Sequence, residues 1–549
     1  MASPSKACER PRQLMRAITL AFFVKVIFCI YIATISWNSA ISPPKIEAGV
    51  TKVTLDGYHA GCYAHERGDQ TCSVAERPSL KVHSELPYSG LISLLHDRRP
   101  DGSVNEGFYM GMQFTLWKNI LPFISWDGER VLKIAIDELV YGSEDSAAFF
   151  PLLPWLANVG GKALRFAHLK LAARGSVNPL SLEAPKVLYM GIAGLIITNI
   201  AGILAAGALY MLIWEILYRR KLLAEKGAIV PAFITFSQTP MPLTVNYIEK
   251  IAYFSVVFFC LGPATVHSTS IYTESIFCLL TFTGLLLLYA AEDSRKLAIY
   301  GAGQVCIEVV KMYIYELAAV ALFFLGSALR SNGMLLLIPL FFYTLRTCSL
   351  FRRLNILDTY DLARLGIKGK TQSFHISWLP IVRFVGHWLR ALLYAVIIMT
   401  PMVVFQLYLY CIYCFRMSVE QLQGISSFTD FVRLLLSPTA MTTLRNILNT
   451  EKRGVRSWCS TVPPRIYSFV QKEYWDVGFL WVLRPPSRLH VFLYCWNAYL
   501  VTYFAIRWYS TFLSTLYSNV AKSVGKSTDA AGMFSPYRIT LHLGNTCTT

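Results

Sequence analysis

Apolar runs of about twenty residues, separated by short basic loops, dominate the chain. A helix of that length crosses a hydrocarbon core of roughly 30 Å. The first run extends from about Ala17 to Trp37, behind Arg10, Arg12 and Arg16. No convincing small-residue cleavage site follows it, so it reads as an uncleaved anchor rather than a signal peptide. Lys25 inside this run is expected to face other helices, since isolated intramembrane charges avoid lipid. A second stretch runs from Leu188 to Leu217. Further spans are predicted near 249–266, 271–291, 312–329, 333–346, 387–414 and 489–512, and 297–311 is ambiguous between span and interfacial segment. Backbone polar groups in lipid are satisfied only in helices or closed barrels, and runs this long exclude the alternating strands of a barrel. The pattern predicts an all-α polytopic membrane protein with a transmembrane helix bundle of about eight spans, range seven to ten.

Charge then orients the bundle. Arg219, Arg220 and Lys221 close the second run, and Arg346, Arg352, Arg353, Arg364, Lys368 and Lys370 follow the sixth. Both clusters mark cytoplasmic ends. The expected organisation is a cytoplasmic tail and first span over 1–37, a lumenal segment over 38–187 and a bundle over 188–414. A lumenal aromatic-rich segment over 415–488 and a last span with its tail over 489–549 complete it. Arg465, Lys472, Arg484 and Arg488 fit a lumenal loop less well, but long loops cross regardless of charge.

Composition agrees. The 549 residues are 54% hydrophobic and 15% charged, against roughly 25% charged in soluble domains. The net charge of +18 sits in interhelical loops, not on a water-soluble module, so no nucleic acid partner is expected. Of 13 cysteines, most, including Cys29, Cys260, Cys278, Cys306, Cys411, Cys414 and Cys495, lie in apolar stretches and read as small buried hydrophobes. Cys62 and Cys72 lie in the polar lumenal segment, where a disulfide is compatible with the compartment. No zinc spacing, Walker loop, Rossmann fingerprint, HExxH or GxSxG is present, so no metal site and no nucleotide-sugar donor are expected.

Five constellations carry candidate chemistry. Trp126-Asp127-Gly128-Glu129-Arg130 places an acid in the first lumenal segment. Asp127 reads either as an N-cap of a helix starting at Gly128 or as a general base for a sugar hydroxyl. Phe149-Phe150-Pro151-Leu152-Leu153-Pro154-Trp155 reads as an interfacial segment anchored by Trp155 and the Phe pair. Gly262 to Ser275 is a polar turn between two apolar runs, with His267, Tyr272 and Glu274 at the membrane edge. It serves either as a helix-end network or as a functional carboxylate site. Arg330-Ser331-Asn332-Gly333 is a tight turn that also puts an arginine fork where it can meet a phosphate. Trp458-Cys459, Pro463-Pro464, Tyr467 and Tyr474-Trp475-Asp476-Val477-Gly478-Phe479-Leu480 form an aromatic stretch, either an interface belt or a surface for sugars and headgroups.

In this order, over about 120–515, these segments resemble the GPI mannosyltransferase 2 family, the closing Tyr-Trp-x-Val-Gly-Phe-Leu being the most specific match. Asp476 departs from the asparagine expected there, and residues 40–115 are longer than the family's loop. The resemblance implies a GT-C-type fold in the endoplasmic reticulum membrane. It also implies α1,6 transfer of the second mannose from dolichyl-phosphate mannose to the glycosylphosphatidylinositol (GPI) precursor, with inversion and without a cofactor or required metal. It casts Asp127 as base. Trp126, Glu129, His267, Tyr272, Glu274, Arg330, Asn332, Tyr474, Trp475 and Asp476 become substrate-binding candidates, Glu274 toward the acceptor and Arg330 toward the phosphate. The partners expected are membrane lipid substrates, with room for a small membrane partner subunit. The alternatives are another lumenal mannosyltransferase of this type, a transporter, which would show paired broken helices, and a noncatalytic accessory subunit.

Overall fold

The computed structural model describes residues 4–39, 123–124, 127–173, 186–225, 244–262, 265–300, 305–348, 379–415, 425–450, 457–461 and 466–475. They are predominantly helical, with no strand among them. In chain order the helices are α1 (Pro4–Ser39), α2 (Asp127–Ile136), α3 (Leu152–Ala173), α4 (Lys186–Glu225), α5 (Val245–Leu261), α6 (Thr265–Thr269), α7 (Glu274–Tyr300), α8 (Val305–Leu329), α9 (Leu337–Thr347), α10 (Leu379–Cys414), α11 (Phe428–Leu435), α12 (Ala440–Leu448) and α13 (Ile466–Trp475). Short 3-10 turns lie at Glu144–Ala148, Ser331–Leu336 and Ser457–Ser460.

Five described helices are long and apolar enough to span a membrane, over Gln13–Ile30, Leu188–Arg219, Glu274–Arg295, Val305–Leu329 and Phe384–Cys414. The spans expected near 249–266 and 333–346 are helical but shorter, as α5 and as the 3-10 turn running into α9. The expected span at 489–512 lies outside the described residues. The ambiguous stretch 297–311 is not an interfacial helix of its own: α7 continues to Tyr300 and α8 starts at Val305.

Packing follows from which faces carry small residues. The ring of Phe323 on α8 lies where a Cβ on Gly284 of α7 would stand, only 2.3 Å away, so glycine lets these two helices close together. Ala17, Ala21, Tyr210, Ile248 and Val256 join α1, α4 and α5. Phe323, Leu340 and Ile398 join α8, α9 and α10. Opposite faces leave Phe254, Phe258, Leu389, Leu392 and Leu393 exposed, as apolar side chains facing lipid are.

Polar residues mark two levels of the bundle. At one, Arg219 bridges Glu215 and Asp293 at 2.8 Å each, and Arg346 meets Glu292 at 2.8 Å. Somewhat deeper, Glu316 is fully buried and accepts from Tyr343 Oη at 2.5 Å, Tyr394 Oη at 3.2 Å and Arg390 at 3.1 Å. At the other end of α7, Glu274 pairs with Arg330. Glu274 and Asp293 on one helix are about 28 Å apart at 1.5 Å per residue, close to the thickness of a hydrocarbon core. The Arg219 level therefore sits at the edge that carries the basic residues Arg219 and Arg346, and the Glu274 level at the opposite edge.

Candidate functional site

The Glu274 edge gathers residues from four helices. Asp127 is the first residue of α2, whose first turn holds both Asp127 and Glu129. Negative charge is favoured at a helix N-terminus, where free N–H groups point outward. Asp127 is thus the start of the helix itself, not a cap before Gly128. The helix buries Val131, Leu132, Ile134 and Ala135. Its far end is closed by Leu139 N–H donating to Ile134 O at 2.8 Å. Glu138 and Leu139 both have positive φ, 53° and 66°, a costly conformation for a bulky side chain. It persists because Leu139 is buried in an aromatic core and its carbonyl accepts from Phe428 N–H at 3.0 Å. The helix presenting Asp127 is thereby tied to α11.

The turn between α6 and α7 faces Asp127. Ile271 N–H donates to Phe123 O at 3.1 Å, and the Ile271 side chain is fully buried against Gly194 and Gly128. The phenol of Tyr272 is hydrogen-bonded to the Asp127 backbone, and its ring stands edge-on to His267 at 5.1 Å. Glu274 Oε1 accepts from Arg330 Nη1 at 3.0 Å, whereas Glu274 Oε2 is buried without a hydrogen-bond partner. The guanidinium of Arg330 also stacks over Phe277 at 5.5 Å. Arg330 is fixed by the 3-10 turn after it: Gly333 N–H donates to Arg330 O at 2.9 Å. A Cβ on Gly333 would stand 2.4 Å from Ser327 Cα, so only glycine fits that position.

These neighbours set the protonation states. Asp127 is exposed in surface area, yet enough protein surrounds its carboxyl for desolvation to raise its pKa. The negative charge of Glu274 raises it further, while Arg130, His267 and Arg330 oppose the shift. Burial and the charge of Asp127 push Tyr272 up to about 12, so it remains a hydrogen-bond donor at neutral pH. Burial also raises the pKa of Glu129, against Arg130 and Lys133. The arrangement offers a proton acceptor, a phenol, an imidazole and a guanidinium at one bilayer face.

The structure thus brings together Asp127, His267, Tyr272, Glu274 and Arg330. Asn332 lies exposed in the 3-10 turn. Trp126 and Asp476 lie outside the described residues, as do Cys62 and Cys72, and of Trp475 only the backbone is described, at the end of α13. Tyr474 reaches Glu144 Oε2 at 3.2 Å. The adjacent Asp145 takes Arg130 Nη1 at 2.5 Å, so the aromatic stretch supports the 3-10 turn that holds α2.

Two expectations are corrected here. The Phe pair does not anchor an interfacial segment. Phe150 is buried against Phe405 at 5.0 Å and Tyr467 at 6.3 Å, and Phe149 lies beneath Arg130, so only Trp155 of that segment points outward. The rings are drawn inward because α10 and α13 offer an aromatic core there. Cys414 is not a free buried thiol but is bonded to Cys459. It is the last residue of α10 and closes the apolar run, and a disulfide there fits an oxidising compartment. Sequence reasoning also passed over Arg130, although its place three residues after Asp127 puts both on one helix face.

A polytopic all-helical bundle with an acid, a phenol and an arginine–carboxylate pair at one edge defines the class: a membrane protein with a polar site at the bilayer surface. The chain belongs to the PIG-V mannosyltransferase family, whose description, Mannosyltransferase (PIG-V), matches residues 231–531. It is 24% identical over 390 residues to GPI alpha-1,6-mannosyltransferase 2 of Rattus norvegicus, covering 69% of this chain and 55% of that protein. It is 25% identical over 368 residues to GPI mannosyltransferase 2 of Chaetomium globosum, covering 66% and 59%. GPI mannosyltransferase 2 of Schizosaccharomyces pombe is 23% identical over 273 residues, covering 49% and 39%. The matches thus span little more than half the length of the nearer two relatives. No solved structure matches the chain.

Proposed function

We propose that the protein is a GPI mannosyltransferase of the endoplasmic reticulum that transfers mannose from dolichyl-phosphate mannose, in α1,6 linkage, as the second mannose of the GPI precursor. The observation that carries this reading is Asp127, ionisable and hydrogen-bonded through its backbone to Tyr272, beside a Glu274–Arg330 pair at the lumenal bilayer edge. Family membership and the printed names of the relatives support the substrate class.

In this reading Asp127 accepts the proton of the acceptor mannose 6-hydroxyl. The hydroxyl oxygen forms its bond to the donor anomeric carbon as the bond to the phosphate oxygen breaks. The electron pair of the broken bond stays on dolichyl phosphate, and the configuration inverts from β to α. Arg330 meets the phosphate as its negative charge grows, a contact worth more in the transition state than before it. Tyr272 and His267 orient sugar hydroxyls, and Glu274 holds Arg330 in place through Oε1.

The test is mannose transfer by the reconstituted full chain, with a one-mannose GPI acceptor. Asp127→Asn and Asp127→Ala are expected to lower kcat by about 10²–10⁴-fold, the usual contribution of a positioned general base. Because the folded-state pKa of Asp127 is raised, its ionised form costs the fold stability once pH rises through that pKa. Asp127→Asn should therefore keep or raise Tm at neutral pH. Full activity in Asp127→Ala would remove the base, and product with a different acceptor alone would move the assignment to another branch.

A further inference from the structure

We infer that Lys25 is a positioning residue: its ammonium, reaching from the first span, locks the turn that holds His267 and Tyr272 against Asp127. Lys25 is buried on α1, and its Nζ donates to Ser268 O at 2.6 Å, Ser268 Oγ at 2.6 Å and Thr269 Oγ1 at 3.3 Å. An ammonium has three donors and no acceptor, so these bonds use its full capacity. Among the described residues no carboxylate lies within ion-pair distance of it. It is spent on the turn and is not left over for a ligand.

The geometry explains why a charge is placed there. Helix α6 is a single turn, Thr265–Thr269, and its last carbonyls have no partner within the helix. At the lumenal edge of a bundle they need donors from elsewhere. Three helices supply them. Lys25 from α1 and Ser275 Oγ from α7 both donate to Ser268 O. Asn199 Nδ2 from α4 donates to Thr269 O at 2.9 Å. The path of the lysine is also prepared: a Cβ on Gly202 of α4 would stand 3.0 Å from Lys25 Cε and 3.1 Å from Ser275 Oγ. Two residues beyond the pinned carbonyls, Ile271 is anchored to Phe123, and Tyr272 follows with its bond to Asp127. A loosened Ser268–Thr269 would let Tyr272 drift from Asp127, and a misplacement near 1 Å can cost on the order of 10²-fold in rate.

This inference rests on the reading of Asp127 as base, so the experiment carries one arm that does not. Full-length protein in nanodiscs is compared as wild type, Lys25→Met, Lys25→Arg and Asn199→Ala. In the first arm, amide hydrogen exchange is followed at 268–273. Lys25→Met is expected to accelerate it roughly tenfold or more, and Lys25→Arg to recover part of the protection. In the second arm, Lys25→Met should lower kcat by about 10–100-fold while KM for donor and acceptor stays within about threefold, and Lys25→Arg should recover part of kcat. Where Lys25→Met does not fold, Asn199→Ala carries both arms, with the same signs and smaller size. Unchanged exchange at 268–273, or faster exchange with kcat intact, overturns the inference. Should the wild type transfer no mannose, the proposed function falls, while the exchange arm still decides whether Lys25 holds the turn.

Discussion

Two clusters of charge lie at different depths in this bundle, Glu316 inside it and Glu274 at one edge, and they are finished differently. In the cytoplasmic half Glu316 has no exposed surface, and both its oxygens are used, one by Tyr343 and the other by Tyr394 and Arg390. At the bundle's edge the Glu274 and Arg330 side chains keep about a third of their surface, and Glu274 Oε2 is unmatched. A buried polar network with every member satisfied fixes a structure. One with an unmatched oxygen retains capacity for a further hydrogen bond. Both clusters cost desolvation, but Glu316 has no oxygen left over, whereas Glu274 keeps one.

That contrast can be broken most forcefully at Glu316. Glu316→Ala leaves Arg390 buried beside two phenols without its counter-charge, a change that typically costs about 3–5 kcal/mol. The expected result is a steep fall in folded yield and Tm, with near-normal kcat in whatever folds. A loss of kcat at normal Tm would mean that the cytoplasmic cluster works in the reaction. Next in size, Cys414→Ser or Cys459→Ser should lower stability by about 2–4 kcal/mol, read as Tm in nanodiscs. It would loosen the lumenal aromatic core before the bundle. Equal loss in both halves would show that they unfold as one.

The smallest effect sharpens the contrast. Glu274→Gln removes a negative neighbour of Asp127 and frees Arg330, and both changes lower the pKa of Asp127. The base is active when ionised, so the acid limb of kcat against pH should move to lower pH, with Tm little changed. A limb that stays in place would separate Glu274 from Asp127 electrostatically.

The membrane architecture was legible because it is written locally: each apolar run is its own signal, and the described spans coincide with those runs. The turn at Arg330-Ser331-Asn332-Gly333 and the edge position of Glu274 were legible for the same reason. Their mutual pairing was not, since it joins residues 56 positions apart. Glu316 and Arg390 were hidden inside runs whose average hydropathy conceals single charges. Lys25 was readable as a charge seeking helices, but its acceptors lie more than 240 residues away. Cys414 was misread because its neighbours on one side are apolar, whereas its partner arrives from a separate lumenal segment.

Helix α7 bears Glu274 in its first turn and Asp293 about five turns further on, and a rigid helix cannot alter the spacing between them. The protein therefore carries a built-in gauge of bilayer thickness. In thin membranes such as that of the endoplasmic reticulum, roughly 27 Å of hydrocarbon, both acids reach the headgroup layers together. Lipids with longer acyl chains would submerge one of them or tilt the helix, so transfer should be tuned by chain length even though no lipid tail takes part in the reaction.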